Sequence, residues 1–376
     1  MACEITVKRL DVEPNRRILV TSDIHGHLVH LKHVLKKAAF SQDDLLVVAG
    51  DMIEKGPEGL NTLRYIMDLY GAGNVVVLAG NVDLSRVRTF DRLNEENAGD
   101  FWDYLERMRR WKGTSFFDEM MRESGLTAGR PAELTACKEV LASRFRRELD
   151  FIRSLPTILE TQNFLFVHAG LPGKDLSLLQ TKRLDDVLAV KNFLSTNVRF
   201  DKTVVVGHWP VTLYGEAIAQ ANPIIDREKR IVSIDGGCGL KADGQLNLLI
   251  IPAPACGIGE ISHVSYDGFE TFAALTPQAA SERSINIHWG DNRIRPLEKQ
   301  GDFTYAEHIR TGYRLWIHNA YLYDGGGACD DYTDYVLPVA AGDELSLVRA
   351  TSRGYLVKKN GVTGWYSGEL KPTAAP

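Results

Sequence analysis

Six short runs of aliphatic and β-branched residues each stop against a Gly, Asp or His: 17–22 (RILVTS), 45–49 (LLVVA), 74–79 (NVVVLA), 163–167 (NFLFV), 203–206 (TVVV) and 231–234 (IVSI). Runs this short and this apolar predict strands buried on both faces. Amphipathic stretches at 27–39 and 57–70 lie between them with helical spacing, which predicts β-α-β units around a largely parallel centre. Ligands of such sheets bind beyond the carboxyl ends of the strands. The polar residues of this chain sit at those ends.

At 376 residues the chain is too long for one ordinary core and predicts two domains. Its 44% hydrophobic and 25% charged residues exclude disorder of the whole chain. A net charge of −5 gives no bulk attraction to polyanions, which speaks against nonspecific nucleic-acid binding. Cys3, Cys137, Cys238, Cys256 and Cys329 are scattered and odd in number, with no C-x-x-C pair. That pattern fits neither a disulfide framework nor a zinc-thiolate site, and predicts a reducing compartment. The opening MACEITVKRLDVEPNRR lacks a signal-like apolar run, and no stretch of about 18 apolar residues occurs. The expectation is a cytoplasmic protein without a membrane partner.

The alternation breaks at 84–155, where charge-rich periodic stretches such as DFWDYLERMRRW and KEVLASRFRRELDFIRSL predict a helical insert over the site. Such an insert is either a packing elaboration or a substrate-selecting cap. Residues 231–251 and 258–272 read as an antiparallel extension that closes a catalytic domain at 1–272. Weak periodicity at 273–302 reads as a linker. RLWIHNAYLY, DYVLPV, DELSLVRA, GYLVKKN and VTGWYSGEL then predict five strands of a small all-β barrel at 303–376.

The strand ends carry Asp23-Ile24-His25, Gly50-Asp51, Gly80-Asn81, Val167-His168 and Gly207-His208. Carboxylate, imidazole and amide oxygen suit divalent ions such as Mn²⁺, Fe or Zn²⁺. Asp23 and His25, two apart at one strand end, can share an ion, and Asp51 on the next strand can bridge two. Two metals about 3.5–4 Å apart hold a phosphoryl group and generate a bridging hydroxide, so no protein nucleophile is required. Any one of these motifs alone is a common turn or cap; all five in order form a pattern.

The series SDIHG (22–26), GDMIEKG (50–56), GNVD (80–83), HAGLPG (168–173) and GHWP (207–210) resembles the calcineurin-like metallophosphoesterases. It is most similar to their phosphoprotein phosphatase branch, which also holds bacterial serine/threonine phosphatases and diadenosine tetraphosphate hydrolases. The resemblance covers about 16–252. It implies a four-layer α/β/β/α core and a pair of divalent ions, Mn²⁺ first for reconstitution. By resemblance Asp23, His25 and Asp51 hold one ion, and Asp51 bridges to a second held by Asn81, His168 and His208. The C-terminal segment resembles bacterial SH3-like domains, which implies docking to a protein partner or to the catalytic domain, with Tyr355, Trp365 and Tyr366 as either groove aromatics or barrel core.

Two positions depart from the family pattern. Lys55 stands where the branch has an arginine and would contact phosphate as a point charge rather than a fork. Val82 stands where the family has its presumed general-acid histidine, so Glu54, at the position of that histidine's orienting acid, has nothing there to orient. General acid catalysis is typically worth ~10²–10⁴-fold. His27 is one candidate replacement acid; Asp83 is another, although resemblance makes it an orienter of the site. The leading expectation is a dinuclear phosphatase for phosphomonoesters, phosphoproteins among them, with Asp51, Lys55, Asp83 and His27 as working residues. The alternatives are a dinucleotide polyphosphate or phosphodiester hydrolase acting on nucleotides, and a low-activity phosphate-binding scaffold.

Overall fold

The computed structural model describes residues 4–373, so Cys3 lies outside the described residues. The chain folds into two compact units.

The first unit contains the residues up to Trp209 together with Pro223–Leu240 and Leu246–Tyr266. Its core is two mixed sheets. One has the order Ser262–Tyr266, Leu246–Ile251, Ile18–Thr21, Leu45–Val48, Val75–Val77, the last three strands running parallel. The other has the order Val7–Arg9, Ile158–Glu160, Phe164–Val167, Thr203–Val206, Ile231–Ser233, Ile224–Asp226.

Strand periodicity sorts the side chains into layers. Ile18, Val20, Val47 and Val76 pack with Leu159, Phe164, Phe166, Val205 and Val232 in one buried cluster between the sheets. Their neighbours Leu19, Leu46, Val48 and Val77 join a second cluster with Leu31, Val34, Leu63 and Ile66 of the helices Leu28–Lys37 and Gly59–Gly71. The expected α/β/β/α arrangement is borne out, as are all six short strands. Between Asn81 and Ser154 the chain is helical: Asn81–Arg92, Ala98–Lys112, Phe116–Glu123, Pro131–Arg144 and Arg146–Ser154.

The second unit is all-β apart from short 3-10 turns, and holds Asp267–Pro376 with two excursions, Pro210–Asn222 and Lys241–Gln245. Its largest sheet has the order Leu370–Pro372, Thr271–Ala274, Glu344–Thr351, Gly354–Lys359, Val362–Tyr366, Ala219–Gln220. Ile294–Gln300, Phe303–His308 and Arg314–His318 form a second sheet.

This corrects the linear reading in two places and settles a third. The stretch 273–302 holds strands rather than a linker, because its exposed, charge-rich edge strand (IRPLEKQ) has only one buried residue and shows little periodicity. DYVLPV makes isolated bridges through Val336 and Val339 rather than a strand, with Pro338 interrupting the run. Tyr366 is core rather than groove, 1% exposed, its hydroxyl donating to Thr276 O at 2.8 Å.

Cys137, Cys238, Cys256 and Cys329 form no disulfide. Among the described residues no helix is long and apolar enough to cross a membrane.

Candidate metal centre

Backbone hydrogen bonds lace the strand-end loops together before any side chain is considered. Asp23 N donates to Gly50 O at 3.0 Å, His25 N to Asp51 O at 3.0 Å, Gly26 N to Met52 O at 2.8 Å, and Gly207 N to His168 O at 2.8 Å. Two glycines make the close approach possible. A Cβ on Gly80 would lie 2.1 Å from Asp51 Oδ1, and one on Gly207 would lie 2.2 Å from Asp23 Oδ2. Asp23, His25, Asp51, Glu54, Lys55 and His208 all have φ between 48° and 70°. Non-glycine residues in that region carry strain of about 1–3 kcal/mol each, which the surrounding structure must over-determine. This strain is concentrated in the motif loops.

The lone pairs of these side chains converge. His25 donates from Nδ1 to Ile53 O (3.3 Å), and His168 donates from Nδ1 to Ala49 O (2.9 Å). A ring nitrogen facing a carbonyl carries a proton, which leaves Nε2 of each ring to face the cluster. His25 Nε2 lies 3.9 Å from Asp23 Oδ1 and 3.7 Å from Asp51 Oδ2. His168 Nε2 lies 3.6 Å from Asp51 Oδ1 and 2.9 Å from Asn81 Oδ1, and His208 Nδ1 is 3.0 Å from that same Asn81 oxygen. Asp51 thus turns one oxygen toward each histidine.

Donor atoms of Asp23, His25 and Asp51 all lie within 4.8 Å of one another and are buried. Asn81 Oδ1 faces ring nitrogens of both His168 and His208, so these three side chains bring donor atoms together. Oxygen and imidazole donors of this kind fit divalent ions.

Electrostatics point the same way. Burial, then the charge of Asp51, pushes the Asp23 carboxyl up to about 7. Burial works against ionisation of Asp51 as well, but His168, His25 and Lys55 outweigh it and hold that carboxyl at about 2. Burial, with His168 beside it, pushes His208 down to about 3, keeping a neutral ring that can donate a lone pair. Asp235, buried and raised well above the usual carboxylate range by burial and by Asp23, accepts from Gly237 N at 2.8 Å. This residue is not among the site residues expected from the motifs, and its proximity to Asp23 spans 212 positions. So many buried carboxylates are costly unless cations compensate them.

The remaining site residues divide by geometry. Lys55 enters the cluster, its Nζ donating to His25 Nε2 at 3.0 Å. Asp83 accepts from Met52 N (3.0 Å) and Ile53 N (3.3 Å) with Oδ1 and from Gly80 N (3.2 Å) with Oδ2. Both its oxygens brace backbone, which makes it an orienter of the loops. His27 commits Nδ1 to His25 O at 2.8 Å, and burial lowers its basicity. Burial, then the charge of Asp51, pushes the Asp83 carboxyl up to about 7, but both of its oxygens are taken by backbone amides.

Glu54 is fully engaged elsewhere, accepting from Tyr104 Oη at 2.6 Å and from Phe116 N at 3.2 Å. Glu119 caps Gly59 N and Leu60 N at 2.9 Å each, and Lys112 Nζ donates to Gly239 O at 2.7 Å. The helical insert is therefore bonded directly to the motif loops.

A two-sheet sandwich with a histidine, aspartate and asparagine cluster at its strand ends defines a metallophosphoesterase. The model of the calcineurin-like phosphoesterase family matches residues 16–235, more than half of the chain, and the chain belongs to that family. Among curated relatives, the symmetrical bis(5'-nucleosyl)-tetraphosphatase of Vibrio cholerae serotype O1 is 44% identical over 160 residues, 42% of this chain and 46% of that protein. The enzyme of the same name from Shewanella frigidimarina is 25% identical over 197 residues, 51% of this chain and 60% of that one. The chain thus spans about half the length of these relatives. A solved serine/threonine phosphatase from Saccharomyces cerevisiae with similarity to human phosphatase PP5 aligns at 12% identity, covering 71% of this chain and 85% of that one, with a TM-score of 0.40.

Proposed function

We infer that this protein hydrolyses phosphoanhydrides of the dinucleotide polyphosphate type, with two divalent ions held by Asp23, His25 and Asp51 on one side and by Asp51, Asn81, His168 and His208 on the other. One observation carries the reading: the position of the expected acid is a valine, and the candidate replacements are bound elsewhere. Val82 replaces the expected acid, Asp83 is held by three backbone amides, His27 is tied to a carbonyl, and Glu54 is engaged by Tyr104 and Phe116. An alkoxide leaves poorly without a proton, whereas a phosphate, with a second pKa near ~6, departs as an anion. The names of the curated relatives favour the same substrate class.

When bound, divalent ions there supply Lewis-acid polarisation of phosphoryl oxygens and an acidified attacking water. Asp51 spaces the two ligand groups, Asp83 fixes the 50–53 loop, and Lys55 brings a positive charge to the phosphoryl oxygens. Water adds to phosphorus and loses one proton to solvent, and the bridging P–O bond breaks with its electron pair leaving on the departing phosphate. Such a site would also accept phosphomonoesters with acidic leaving groups, such as phosphotyrosine.

The test is turnover after Mn²⁺ reconstitution on diadenosine tetraphosphate, p-nitrophenyl phosphate, phenyl phosphate and a phosphoserine peptide. The expected order places the anhydride first and the phosphoserine peptide last. A preference for phosphoserine would overturn the reading, and absence of turnover on all four would leave a phosphate-binding scaffold.

A further inference from the structure

Val82 lies in the first turn of the helix Asn81–Arg92, and its amide donates to Asp51 Oδ1 at 2.8 Å. That turn therefore rests against the phosphoryl site. The residue four positions on shares its face, and helical side chains lean back over the turn N-terminal to them. In this chain that residue is Arg86, so its side chain shares the helix face of the turn in which the family histidine is missing.

Arg86 is held on one edge and one face. Its Nε is buried, makes no hydrogen bond, and lies 3.8 Å from Glu54 Oε2. Its guanidinium stacks on the Tyr104 ring at 4.5 Å. Tyr104 in turn donates to Glu54 at 2.6 Å, so the three groups brace one another. The far edge is barely used: Nη1 has only a 3.4 Å contact with Ser85 Oγ, and the side chain keeps 22% of its exposure. A guanidinium pinned from behind with its Nη edge open matches the bidentate geometry of phosphate. It donates hydrogen bonds without donating a proton, as an anhydride leaving group requires.

We propose that Arg86 is the polyphosphate-selecting residue of this site, its Nη edge holding the oxygens of the second phosphate, the one that departs, beside the turn that Val82 occupies. This rests on the anhydride reading. A simple anchoring of the helix to Glu54 would need the same ion pair but no phosphate preference.

The experiment is an equilibrium titration of Mn²⁺-loaded protein with methylenediphosphonate, the form of pyrophosphate that cannot be hydrolysed, and, separately, inorganic phosphate, for the parent, Arg86→Met and Arg86→Lys. Arg86→Lys keeps a positive charge against Glu54 and serves if Arg86→Met folds poorly. Losing a charge-assisted bidentate contact is expected to weaken methylenediphosphonate by about tenfold to a hundredfold in Arg86→Met. Phosphate affinity should stay within about twofold, and Arg86→Lys should lose several-fold on methylenediphosphonate alone. Unchanged methylenediphosphonate binding in both variants, or equal losses for both anions, overturns the proposal. If the parent turns over only monoesters, the anhydride reading falls, while the methylenediphosphonate-to-phosphate ratio still decides the role of Arg86.

Discussion

Lys55 holds its ammonium 3.0 Å from Nε2 of His25, on the lone pair left by that ring's Nδ1 hydrogen bond to Ile53. Burial first, and then this lysine, lowers the basicity of His25, and the lysine also steadies the ionised form of Asp51. A cation is thus already coupled to the donors of the cluster. Lys55→Met should lower kcat/KM on a phosphate substrate by about tenfold to a hundredfold, the worth of a charged hydrogen bond. Lys55→Arg should retain activity through its fork. Steady-state kinetics at saturating Mn²⁺ checks both.

Asp51 turns Oδ2 toward His25 and Oδ1 toward His168. Asp51→Asn removes the charge shared by the two ligand groups. It should reduce bound metal below two ions per chain and abolish turnover. Metal analysis after dialysis, together with the loss of the metal-induced rise in Tm, is the readout.

Val82 is 5% exposed at the start of its helix. Val82→His should raise turnover of phenyl phosphate and phosphoserine peptide more than that of p-nitrophenyl phosphate or diadenosine tetraphosphate, with ~10²–10⁴-fold as the ceiling for a restored acid. An equal change on all four substrates would count against a missing acid. Burying the imidazole should cost stability, visible as a lower Tm.

Tyr104, on the helix Ala98–Lys112, reaches across 50 positions to Glu54. Tyr104→Phe leaves that buried carboxylate one donor short and should destabilise the fold by about 1–3 kcal/mol, measured by denaturant unfolding.

Burial, ahead of the nearby charge of Glu54, raises the Glu119 carboxyl from 4.5 to about 7, even though Leu60 N and Gly59 N donate to it. The native state then keeps a proton that the unfolded chain releases. The stabilising contribution is complete below about 4.5 and is lost as pH rises through about 7. Glu119→Gln cannot titrate, so Tm should decline less steeply between these pH values than in the parent. Thermal unfolding across a pH series reads this slope, with the other raised carboxylates common to both proteins.

Much of the catalytic architecture is legible locally. RILVTS, LLVVA and TVVV are too short and too apolar for anything but buried strands, and they are found as such. The glycines in GD, GN and GH presage the close approaches seen at Gly80 and Gly207. The partners of Glu54 are not legible, since Tyr104 and Phe116 follow it by 50 and 62 positions. Nor is the membership of 219–220, which pairs with Val362 and Thr363 in the second unit's sheet.

For the six short strands of the first unit, the sequence by itself determined the segments and the residues at their ends, because side-chain periodicity and turn chemistry act over a few neighbouring residues. Tertiary structure alone decided which strand end meets which. It set Asp51 between His25 and His168, placed Asp235 near Asp23, tied up His27 and Asp83, and braced Arg86 on Glu54 and Tyr104. Those relations depend on distances and orientations between residues far apart in the chain, which are set by the packing of sheets and helices rather than by any local pattern.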